Sequence, residues 1–144
     1  MHWGELLSAV QREMLFRQIP AMILVHLGGN DIETCNVGKF VKQICKNFKY
    51  LISVFNQTQI IWSDILPRVC WEGIPSLTKK RKRINRAGHG AVRKHNLGTI
   101  ISHDIEGSNS ELFWTDGVHL SDKGNDIFLD CLSHSLTAVC ENIN

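Results

Sequence analysis

Two short stretches of this 144-residue chain carry side chains whose types and spacing suit anion stabilisation and proton transfer. The first is Gly28-Gly29-Asn30-Asp31, directly after an apolar run. Paired glycines let the backbone turn sharply and approach a ligand closely. Asn30 can then present a side-chain N–H to a developing negative charge, and Asp31 can tie the loop down. The second stretch is Trp114-Thr115-Asp116-Gly117-Val118-His119-Leu120-Ser121. An aspartate three residues before a histidine, in a glycine-containing loop, can orient the imidazole through one ring nitrogen and leave the other free as a base. Each stretch also has a plainer reading. The first fits an ordinary strand-to-helix turn with Asp31 capping the next helix, and Asp-x-x-His is by itself a weak signal.

Periodicity gives the elements that would position these loops. Residues 3 to 16 place Leu6, Leu7, Val10, Met14 and Leu15 at helical spacing. Residues 21–27 form a short continuous apolar run, as in a strand buried on both faces. This run reads as the central strand, although the chain offers no neighbour for its outer side. Residues 37 to 55, with Phe40, Val41, Ile44, Phe48, Leu51 and Ile52, read as a long amphipathic helix. The second strand is Gln59–Ser63, closed by Asp64 and Pro67. Ser76 reads as the N-cap of a basic helix running towards His95, with Gly88 and Gly90 weakening its middle. Residues 97–101 give a weaker third strand, and Ser121 caps a last helix from Asp122 to about Cys140. The order α-β-α-β-α-β-α predicts right-handed crossovers, a parallel sheet and a single α/β domain over residues 1–144. Open parallel sheets bind ligands beyond the carboxyl ends of their strands, which is where both polar loops fall.

Composition narrows the class. Sixteen Lys and Arg against fourteen Asp and Glu give +2, too balanced for net charge to mark a nucleic-acid binder. Hydrophobic residues at 43% and charged residues at 21% exclude disorder, collagen and coiled coil as overall descriptions. No apolar run approaches the ~20 residues of a membrane span, and no signal-peptide pattern opens the chain. A cytoplasmic or nuclear protein is expected. The five cysteines are widely spaced without a CxxC pair, which predicts reduced thiols and no zinc site.

With these residues in view, the chain resembles a known family. Gly28-x-Asn30-Asp31 looks like the third conserved block of the SGNH hydrolases (the GDSL esterase/lipase superfamily), and Asp116-x-x-His119 looks like the fifth. The wording VHLGGNDI, IIWSDILPR, KRINRA and DGVHLSDKGNDIFL is closer still to the esterase domains of LINE-type non-LTR retrotransposons. The resemblance covers about residues 3–140 with the motifs in order. It implies a flavodoxin-like three-layer α/β/α sandwich and hydrolysis of carboxylic esters, of acyl or acetyl groups or of lipids, without a cofactor or metal. Carried over by position, His119 is the general base, Asp116 orients it, Asn30 is an oxyanion-hole donor and Gly28 shapes that loop.

The departure from the family pattern matters as much. The family nucleophile is the serine of a Gly-Asp-Ser motif, and this chain has neither that tripeptide nor a G-x-S-x-G elbow. Gly4 falls near the place of the second-block glycine. The expectation is a fold lacking its first two strands and the nucleophilic serine, and therefore inactive alone. Ser63, at the end of the second strand, is the one substitute worth testing. The rival readings are an RNA-binding or assembly module and a non-functional fragment.

Four other features carry plainer expectations. The run Lys79-Lys80-Arg81-Lys82-Arg83, extended by Arg86, Arg93 and Lys94, reads as a solvated helix face, with nucleic-acid binding as the alternative. Trp71 and Trp114 are candidates to line an acyl pocket. His26 reads as a satisfied core histidine. His103-Asp104 carries little weight as a second dyad.

Overall fold

The computed structural model describes residues 1–15 and 17–143, so Phe16, the last residue of the expected first helix, lies outside the described residues. A 3-10 turn at Trp3–Glu5 leads into α1 (Leu6–Met14). β1 (Met22–Val25), α2 (Val37–Val54), β2 (Gln59–Ser63), α3 (Pro75–Val92), β3 (Gly98–Ile101) and α4 (Asp122–Ile143) follow in the predicted order. The three strands pair in parallel, with Leu24 opposite Ile61 and Trp62 opposite Ile100.

The strand order is β1-β2-β3, which corrects one expectation. β2, not β1, is the central strand, and it is the most buried of the three. The physical reason is the connectivity. Two crossovers of one hand that step in the same direction lay the strands out in chain order and place both crossover helices on one face. α2 and α3 accordingly lie side by side on one face with α1, while α4 covers the other. Alternation along each strand serves both layers. Ile23, Val25, Ile60, Trp62 and Ile100 face the α1/α2/α3 layer, whereas Met22, Leu24, Ile61 and Ile101 face α4.

An aromatic cluster anchors the larger core. Trp3, Phe40, Phe48 and Trp62 meet with ring centroids 5.5–6.3 Å apart, in edge-on, stacked and tilted pairs. Trp62 is fully buried and donates from Nε1 to Asp64 Oδ1 at 2.9 Å. Helix α3 sits directly on this indole at Gly88, where an added Cβ would stand 2.2 Å from Trp62 Cδ2. Gly88 is therefore a close-approach site rather than a weak point.

The caps differ in detail from expectation. Asn36, not Asp31, caps α2, its Oδ1 accepting from Lys39 N at 3.0 Å. α3 opens with Pro75 in its first turn after Ile74, and Ser76 makes no cap. Proline costs nothing there, because the first-turn N–H groups have no helical partner. Ser121 does cap α4, accepting from Gly124 N at 3.2 Å.

Candidate functional site

Both polar loops lie just past the carboxyl ends of the strands. After β1 the chain turns at Gly28, whose φ of 109° is the left-handed region that favours glycine. A side chain there would also meet Ile65 Cδ1 at 3.0 Å and Phe40 Cζ at 3.2 Å. Asp31 then fastens the loop from behind. Its Oδ2 accepts from Trp3 N at 3.0 Å, and its Oδ1 pairs with His2 Nδ1 at 3.1 Å.

Asn30 is held through its oxygen. Arg68 Nη2 donates to Asn30 Oδ1 at 2.7 Å. Arginine offers only donors, so this contact leaves the Asn30 amide N–H groups free to serve another acceptor. Arg68 is itself laid over the Trp71 ring at 4.9 Å, and Trp71 Nε1 donates to Glu33 Oε1 at 2.9 Å. Trp71 is thus a buried support for Arg68, and it borders a neighbouring hollow with Glu72 and Arg81 rather than the cleft beside Asn30. Nothing in the sequence singled out Arg68, which lies 38 residues from Asn30.

The second loop is built around Asp116. Its Oδ1 accepts from Val118 N at 2.8 Å and His119 N at 3.0 Å, and its Oδ2 pairs with His119 Nδ1 at 2.6 Å. The hydrogen bond from His119 holds the Asp116 carboxyl down at about 2, helped by the two backbone N–H donors. An aspartate kept ionised there fixes the ring so that Nδ1 carries a proton and Nε2 faces solvent as an acceptor. The ring is 77% exposed, and its side chain makes no other hydrogen bond among the described residues. Gly117 ties this loop to the segment after β2: its carbonyl accepts from Cys70 N at 3.3 Å, two residues from Arg68.

Between the loops lies a cleft of about 350 Å³. Gly28, Gly29, Asn30 and His26 line it together with Pro67, Arg68, Phe113 and Val118. Gly28 and Asn30 are therefore brought to one rim with the Asp116/His119 loop. His119 stands beside the cleft next to Val118, and neither Trp114 nor Gly4 lines it. Gly4 lies in the exposed opening turn, with open space around it.

The same rim holds a second polar group that sequence reading undervalued. His26 is not a core residue: it stands past the end of β1 with part of its surface in solvent and its ring against Ser63 and Phe128. Its Nδ1 meets Ser63 Oγ at 2.9 Å, and Ser63 Oγ meets His103 Nε2 at 2.7 Å. The Ser63 side chain is fully buried. Both rings rest on Phe128 of α4, at centroid distances of 5.0 and 4.7 Å. Burial, reinforced by the neighbouring His26, lowers His103 to about 4, and burial likewise lowers His26. Ser63 is thus committed to two imidazoles other than His119.

Among the described residues no group of three His, Cys, Asp or Glu side chains is arranged to hold a metal ion, and no helix is long and apolar enough to cross a membrane. No protein-family model matches the chain, and no curated protein matches it either.

Proposed function

We propose that residues 1–144 form the oxyanion and base parts of an SGNH-hydrolase-type site for small carboxylic esters, carried on a flavodoxin-like α/β/α sandwich. The parallel sheet covered by helices on both faces supports the fold part of this reading. The observation that carries the site is the Asp116–His119 pair, set beside a cleft that the arginine-held Asn30 lines.

The chemistry follows from those groups. An ester carbonyl in the cleft receives the free amide N–H of Asn30 as negative charge builds on its oxygen. His119 Nε2 takes the proton of the attacking hydroxyl, and Asp116 stabilises the imidazolium that forms. The attacking hydroxyl is the part these residues do not supply. Among the described residues no serine bonds to His119, and Ser63 is buried between His26 and His103. Losing the nucleophile of such a triad costs roughly 10⁶ in turnover, so this chain alone binds esters without turning them over.

Two measurements on the full chain test the reading. Hydrolysis of p-nitrophenyl acetate should stay at the solution background. Titration with ethyl butyrate should shift the backbone amide NMR signals of Gly28, Asn30, Val118 and His119. Turnover abolished by His119→Ala would show that a nucleophile is present after all. Shifts confined to other parts of the molecule would overturn the site itself.

A further inference from the structure

The near-neutral net charge conceals a polarised surface. α2 carries Lys39, Lys42, Lys46 and Lys49, α3 carries Lys79, Lys82, Arg83 and Arg86, and neither helix contains an Asp or Glu. Arg93 and Lys94 follow directly. All ten are exposed, and none takes part in an ion pair among the described residues. Across the sheet, α4 has the opposite balance, with Asp122, Asp126, Asp130 and Glu141 against Lys123 alone.

Helix geometry aligns the cations. The lysines of α2 recur at intervals of three, four and three residues, on the side away from Phe40, Ile44 and Phe48. They form a row about 15 Å long at 1.5 Å rise per residue. The exposed cations of α3 lie likewise opposite Ile84, Gly88 and Ala91. Lys80 and Arg81 are different: Lys80 Nζ donates to the Cys35 carbonyl at 3.2 Å and Arg81 Nη1 to the Ile65 carbonyl at 3.2 Å. The fold therefore uses two of the basic residues and leaves the rest facing solvent. Between the helices runs a trough of about 630 Å³, with Lys46 and Lys49 on one bank, Lys94 on the other and Ile52 and Ala91 among its lining.

We infer that the α2/α3 face docks the phosphodiester backbone of single-stranded nucleic acid. Charge complementarity selects a polyanion, and a trough between two cationic rows suits a strand whose phosphates repeat along its length. A membrane surface fits less well, because interfacial binding needs apolar side chains that enter the lipid. The exposed apolar residues of α2 are Tyr50 and Val54, and these lie with Gln11 and Met14 of α1 around a hollow separate from the trough. No aromatic ring lines the trough to stack on a base. The contacts are thus to phosphate, independent of base sequence and steeply weakened by salt. The acidic α4 face restricts docking to one side.

The test is fluorescence anisotropy of the full chain with a labelled oligouridylate of about 20 nucleotides, between about 50 and 200 mM salt. With about five phosphates neutralised, the slope of log K against log salt is expected near −3.5, at ~0.7 per phosphate. The triple variant Lys42→Ala/Lys46→Ala/Lys49→Ala should reduce that slope by about two. Its thermal melt should match the parent, because the three side chains are exposed and make no hydrogen bond or ion pair among the described residues. Lys123→Ala and His119→Ala should bind as the parent does, which separates this surface from the cleft. Absence of salt-dependent binding, or unchanged binding by the triple variant, would overturn the inference. So would tighter binding to phosphatidylserine vesicles than to the oligonucleotide.

Discussion

Gly88→Ala should destabilise this protein, whereas the same substitution two residues on, at Gly90, should stabilise it. Both glycines lie inside α3, where alanine is favoured over glycine by about 1 kcal/mol. At Gly90 an added Cβ meets nothing within 4 Å, so that gain is realised in full. At Gly88 the Cβ would stand 2.2 Å from Trp62 Cδ2 and 2.3 Å from Cε2. Carbon atoms sit comfortably at about 3.5–4 Å, so the indole or the helix must retreat by roughly 1.5 Å. The indole has nowhere to go, because Trp3 and Phe48 lie on it with centroids 5.8 Å away. Its Nε1 is also bonded to Asp64, and losing a hydrogen bond to a charged group costs roughly 1.5–3 kcal/mol. Overpacking adds about 1–3 kcal/mol, so after the helix gain the net loss is about 1.5–5 kcal/mol. Urea unfolding reads both signs. With a slope of about 2 kcal/mol/M, the midpoint should fall by about 0.8–2.5 M for Gly88→Ala and rise by about 0.5 M for Gly90→Ala. A Gly88→Ala protein as stable as the parent would refute the direct seating of α3 on Trp62.

Two pH measurements address the site. Because the His119 hydrogen bond is the largest cause of the low Asp116 midpoint of about 2, His119→Ala should move the carboxyl ¹³C titration of Asp116 up towards 3.8. The stability this pair confers is present above pH 3.8 and is lost as the pH falls towards 2; an unmoved midpoint in the variant would show that the pair is not formed. His103, held at about 4 mainly by burial, stays neutral in the fold while the unfolded chain takes up its proton near 6.5. Stability should therefore fall as the pH is lowered from about 6.5 to 4, and His103→Gln should flatten that fall in urea midpoints, leaving the smaller contribution of His26. An unchanged pH dependence would contradict the burial of the ring.

Strands and helices were legible because burial on both faces leaves a plain mark. Residues 59–63 read as apolar because Ile60 and Trp62 serve one layer and Ile61 the other. The start of α3 was misread because a serine after a proline resembles a cap, while the proline itself fills the first turn. The central strand was misjudged because apolarity ranks strands without ordering them, and only the pairing shows that β2 has two neighbours. The Asp116–His119 pair was visible because it is local. Arg68 on Asn30 and the His26–Ser63–His103 group were not, since their partners lie 37–40 residues apart. Those contacts exist because parallel register aligns the strand ends, which no spacing rule within one segment reveals. The basic run in α3 was legible too, but its companion row on α2 became a surface feature only once the crossovers had laid the two helices together.

The fastening of His2 and Trp3 to Asp31 has a practical outcome for anyone handling this protein. Met1 borders the cleft, so a purification tag joined there would overhang its mouth and pull on the residue next to Asn30. A handle appended after α4 would leave both undisturbed, and assays comparing the two placements would show how much of a measured affinity belongs to the tag.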